Sequence, residues 1–93
     1  MPYIKPSERA PFDALVADFD RVCGDYRVVE GHMNYLLTRL LVTWIGDAKN
    51  YQVFNTVLGV LEAVKLEFYR RLMVGYEDLK MAENGDAYTG YGP

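Results

Sequence analysis

Apolar residues recur at three- and four-residue steps through the second half of the chain. Phe54, Val57, Leu58, Leu61, Val64, Phe68 and Leu72 follow the period of an α-helix. At 100° per residue they fill an arc of about 120°, the width of a core-facing stripe. The pattern predicts one long helix over residues 50–82. Asn50 suits its N-cap, because the side-chain oxygen can accept from the free amides of the first turn. No proline interrupts the run, and Gly59 and Gly75 each cost about 1 kcal/mol relative to alanine. Gly59 lies off the stripe beside Asn55, Thr56 and Ala63, where it either admits a neighbouring helix or is simply tolerated. A kink is expected near Gly75.

Length then becomes an argument. Residues 51–81 would extend roughly 46 Å at 1.5 Å per residue. A compact domain of this size has a radius of gyration of about 12 Å. The helix must project beyond its domain, break at Gly75, or be covered by another subunit. Val53, Val60 and Leu66 add apolar side chains outside the stripe, and a short chain has few elements to cover them. A homo-oligomer is expected.

Two shorter stripes precede it. Phe12, Leu15, Val16, Phe19, Val22 and Cys23 predict a helix over residues 11–23, with Pro11 at its first position and Gly24 as a left-handed cap. Met33, Leu37, Leu40, Leu41 and Trp44 predict a second over residues 32–45, stopped by Gly46-Asp47. So short a link to the third helix suits antiparallel neighbours. Residues 1–10 form an arm that Pro2 and Pro6 hold extended or turned. Residues 83–93 are expected to be a mobile tail unless Tyr88 or Tyr91 docks. The fold class is all-α: a single three-helix domain with a long C-terminal helix, assembling as a homo-oligomer.

Composition narrows the chemistry. Of 93 residues, 51% are hydrophobic, which argues against wholesale disorder. A net charge of −3 lacks the basic footprint of general nucleic-acid binding. One cysteine, Cys23, excludes an internal disulfide framework and is expected in the core. The longest apolar run, residues 36–45, contains Arg39 and is too short to span a bilayer. The N-terminus has no apolar signal-peptide core. A cytoplasmic location, without membrane contact, is expected.

The candidate residues are few. Lys65 falls inside the apolar stripe by helical phase, with Glu62 and Tyr69 one turn to either side. It is either a lysine whose charge reaches solvent or an ion pair, or a cation presented to an anionic ligand. Arg70 and Arg71 follow Glu67; Arg71 could pair with Glu67 at i,i+4, or either arginine could hold a phosphate or a carboxylate. In the arm, Tyr3 could stack on a flat ring while Lys5 or Arg9 pairs with a phosphate, or Tyr3 and Ile4 could simply pack. His32 stands alone, without companions for a metal site. No nucleophile–base pattern and no phosphate-binding glycine loop is present. Glu62 with Glu67, and Glu83 with Asp86, offer some groups of a Mg-dependent nucleotide pyrophosphohydrolase, but Glu62 and Glu67 fall on opposite sides of the helix.

The opening MPYIKP, the central NYLLTRL, then KLEFYRR, YEDLK and ENGDAY resemble a family of short, uncharacterised proteins of bacteria and bacteriophages. The resemblance covers most of the chain except residues 18–31 and the last five. It carries no assigned activity. It matches Tyr3, Lys5, Asn34, Tyr35, Arg39, Lys65, Glu67, Tyr69, Arg70 and Arg71 to the family's patterned polar positions. Where relatives carry proline this chain has Gly75, which implies a helix break just before Tyr76. A phage setting, with the host cytoplasm as location, implies a small oligomeric protein that sequesters nucleotide signals.

The reading that results is non-catalytic. A small anionic, nucleotide-type ligand is expected at subunit interfaces, held by Tyr3, Lys5, Lys65, Tyr69, Arg70 and Arg71, with no cofactor. The alternative is an adaptor that contacts a host or phage protein through the end of the third helix and the Tyr-Gly tail. The pyrophosphohydrolase is a distant third.

Overall fold

The computed structural model describes residues 2–88 and 90. They are all-helical, with no strand among them, in three helical runs of which the last spans 34 residues. Helix α1 is Ala10–Asp25, α2 is Glu30–Ile45 and α3 is Tyr51–Phe68; a π turn, Tyr69–Met73, joins α3 to α4, Val74–Asn84. Tyr91, one of the two expected docking residues of the tail, lies outside the described residues.

Each end is set by local chemistry. The arm closes into a 3₁₀ turn, Pro6–Glu8, with the Glu8 N–H donating to the Lys5 carbonyl at 2.9 Å. The Arg9 guanidinium donates twice to the Ile4 carbonyl, at 3.0 and 2.9 Å, and so ties the arm to the start of α1. Helix α1 does not stop at Cys23. It runs through Gly24, which has no positive φ, and ends where Tyr26 turns extended at φ −125° and ψ 145°. No left-handed cap is needed, because the chain leaves through the β region. Cys23 is only half-buried.

Helix α2 starts at Glu30, two residues before the periodicity predicts. His32 explains this: its Nδ1 accepts from the Val29 N–H at 3.2 Å, the reciprocal half of a capping box. Gly46 ends the helix at φ 51° and ψ −124°. The Ala48 N–H donates to the Ile45 carbonyl at 2.9 Å, so Gly46 occupies the first corner of a type II′ turn, where φ must be positive. Asn50 caps α3 as expected, its Oδ1 accepting from the Val53 N–H at 3.0 Å.

Packing divides the chain into two units, residues 1–57 and 58–93. In the first, Phe19, Met33, Leu36, Leu41, Ile45 and Val53 are half-buried. Val57 is the one buried hydrophobic side chain among the described residues. The outer parts of the stripes lie open: Leu15 is 63% exposed and Trp44 54%. A groove of about 830 Å³ runs between α1 and α2, lined by Leu15, Val16, Phe19, Met33, Leu36 and Leu40 among others. In the second unit Leu58, Phe68 and Leu72 are all more than half exposed.

The long run passes through Gly75 as helix. The expected break there is corrected to a π turn at Tyr69–Met73, where the backbone stays helical but holds one residue more than an α turn. A Cβ at Gly59 or Gly75 would meet nothing within 4 Å, so no close approach among the described residues requires either glycine. No helix of the described residues is long and apolar enough to cross a membrane.

Candidate ligand site at the π turn

Three of the six expected ligand residues, Tyr69, Arg70 and Arg71, stand in succession in the π turn. Lys65 lies one turn before them. The extra residue of a π turn rotates everything after it by about 100°. In an unbroken α-helix residues 69 and 77 would differ by about 80° around the axis; the insertion brings them onto one face. The Tyr69 hydroxyl accordingly donates to the Glu77 carboxylate, at 3.2 Å from each oxygen. The same rotation sets polar Glu77 and Lys80 on the line of the α3 stripe, where regular phase would place Tyr76 and Leu79.

The cations are engaged to different degrees. Arg70 donates through Nη2 to both oxygens of Glu67, at 2.9 and 3.1 Å. Glu67 takes Arg70 at i,i+3, and no Glu67–Arg71 ion pair forms among the described residues. Lys65 is not enclosed by the apolar stripe; its side chain is 71% exposed and stands 3.4 Å from Glu62. Pairs so exposed contribute little to stability. No hydrogen bond or ion pair to Arg71 forms among the described residues. Beyond the turn, Lys80 pairs with Glu83 at 3.1 Å and lies 5.6 Å from the centre of the Tyr76 ring, a cation–π distance.

The electrostatics follow from Glu77. Its hydrogen bond, and then its charge, raise the Tyr69 phenol above the ordinary tyrosine value; slight desolvation and Tyr88 act in the same direction. A phenol whose folded pKa is raised contributes stability that is fully present below the unfolded pKa. That contribution is lost as pH rises through the folded value. Subtracting the alkaline absorbance titration of Tyr69→Phe from that of the wild type should isolate a late-ionising tyrosine. Glu77→Gln should bring that midpoint down, and a midpoint that does not move would show that Glu77 is not the cause.

Tyr3 and Lys5 belong to the first unit. Tyr3 lines a shallow depression with Pro2, Ile4, Arg9, Phe12 and Asp13. Lys5 precedes the 3₁₀ turn and its side chain is exposed. The motif residues Asn34, Tyr35 and Thr38 line another depression with Glu30 and Gly31, and the Thr38 hydroxyl donates to Asn34 Oδ1 at 3.3 Å. Among the described residues no three His, Cys, Asp or Glu groups gather to hold a metal ion.

Glu77 is the site residue that periodicity misses. Its eight-residue separation from Tyr69 means nothing until the π turn rephases the helix, and no residue type in YRRLM announces that turn. No curated protein and no solved structure matches the chain. A family model does, over residues 1–87: the chain belongs to the family described as a domain of unknown function, DUF6899.

Proposed function

We propose that the protein is a non-catalytic, self-associating binding protein that takes a small anionic ligand of nucleotide type at its π turn. The observation that carries this is the placement of Tyr69, Arg70 and Arg71 in that turn, with the Arg71 fork unengaged among the described residues. A guanidinium fork matches two phosphate oxygens, and Tyr69 in the same turn supplies an aromatic face of the kind on which bases stack. Irregular π turns inside long helices recur at functional sites because they aim side chains that a regular helix could not. Arg71 is the primary cation, Arg70 can exchange Glu67 for phosphate, and Lys65 stands one turn away. Sequestration of a nucleotide signal fits a site of this kind without catalytic groups.

Thermal-shift measurements with mono-, di- and cyclic nucleotides, with and without Mg²⁺, test the reading. A stabilising shift is expected that Arg71→Ala reduces. A hydrogen bond to a charged group contributes about 1.5–3 kcal/mol, so affinity should fall roughly 10- to 100-fold. Turnover of the nucleotide would overturn the non-catalytic part. An absence of any shift would favour the adaptor reading, which the exposed side chains Tyr76, Leu79 and Tyr88 at the chain's end support.

A further inference from the structure

We propose that the groove between α1 and α2 is the seat of a second copy of this chain, entered by that copy's α3 with its Lys65 on Asp18. The inference rests on the self-association in the preceding reading and names the surfaces that carry it. Two unusual features match. The α1–α2 groove is apolar except for a few groups, and Asp18 is the carboxylate in its wall. The stripe of α3 is apolar through Leu58, Leu61, Val64 and Phe68 and holds one cation, Lys65. Lys65 interrupts the apolar stripe of its own helix, Asp18 stands at the edge of the apolar groove wall, and each is the complement of the other.

Among the described residues each makes only a long, exposed ion pair. Asp18 stands 3.9 Å from Arg21, with both side chains more than two-thirds exposed. Lys65 reaches Glu62 only at 3.4 Å and is equally open. Charge around the two surfaces is complementary as well. Helix α1 carries Asp13, Asp18, Asp20 and Asp25 against Arg21 alone, whereas over the end of α3 and the π turn Lys65, Arg70 and Arg71 outnumber Glu62 and Glu67. The stripe from Leu58 to Phe68 rises about 15 Å, which fits within groove walls of about 24 Å. An exposed apolar surface of this extent marks an interaction site, and the chain itself holds the complementary face.

Charge reversal tests this on the full chain. Asp18→Lys and Lys65→Asp, each alone, should weaken association about tenfold or more in light scattering or sedimentation, because like charges then meet in the seat. An equimolar mixture of the two variants should restore association, since each chain supplies the charge the other lacks. The double variant should restore it too. If a single variant loses helicity, recovery of the helical signal on mixing reads the same contact. Restoration in the double variant but not in the mixture would place the contact within one chain and overturn the proposal. Association unchanged by either reversal would overturn the seat while leaving self-association standing. A wild-type monomer at micromolar concentration would remove both.

Discussion

A chain carrying Val57→Asp is expected to lose its cooperative thermal transition and most of its helical signal at micromolar concentration. Val57 is only 9% exposed and stands as the buried hydrophobic of the described residues, on the stripe that organises α3. Removing it forfeits about 1.5–3 kcal/mol of apolar transfer. The aspartate adds an uncompensated buried charge, costing several kcal/mol more. Domains of this size are marginal, with total stabilities near the low end of about 5–15 kcal/mol. The sum is enough to unfold the protein. Val57→Ala, which removes only apolar contact, should cost about 2 kcal/mol and leave a lowered but cooperative transition. Circular dichroism at several protein concentrations checks both, and a Val57→Asp chain melting within a degree or two of wild type would show that burial there does not hold the fold.

Gly46→Ala is expected to destabilise by about 1–3 kcal/mol, the cost of forcing an L side chain into a backbone region it rarely adopts. For a chain of this size each kcal/mol lowers Tm by about 4–8 °C. The reason is conformational, because a Cβ at this position meets nothing within 4 Å. The φ of 51° with ψ of −124° is the first corner of a type II′ turn, which glycine alone takes without strain. Asparagine, which tolerates the left-handed helical region, should not rescue it, since that region needs positive ψ. Gly59→Ala is the contrasting case. Gly59 is inside α3 with open space at its Cβ, so alanine should stabilise by about 1 kcal/mol. A loss of stability at Gly59→Ala would instead reveal a helix of another copy packed against it. Differential scanning calorimetry distinguishes these outcomes.

The family match sets the level at which these results apply. It covers residues 1–87, so α1 through α4 are the family's common part.

Much of the architecture was legible in the sequence because its causes are local. The three- and four-residue spacing of Phe54 to Leu72 fixes a helix through backbone geometry alone. Asn50 announces the start of α3 by its acceptor, and Gly46 announces the end of α2 by its freedom at positive φ. Gly24 misled for the same reason: a glycine near a helix end permits a left-handed cap without requiring one, and the extended turn at Tyr26 made it unnecessary. His32 went unread as a cap because histidine rarely takes that place.

The candidate site divides along the same line. Sequence alone brought Lys65, Tyr69, Arg70 and Arg71 to one stretch of helix. Only the folded structure decided how they are deployed. The π turn depends on small differences in backbone energy summed over five residues, and no residue type encodes that sum. Yet the turn rotates α4 by about 100°, brings Glu77 to Tyr69, and moves the irregularity away from Gly75. Whether Glu67 holds Arg70 or Arg71 depends on rotamers within that geometry, where i,i+3 and i,i+4 partners differ by only tenths of a kcal/mol. Periodicity fixed which residues share the helix; the one-residue change of phase decided which of them face one another.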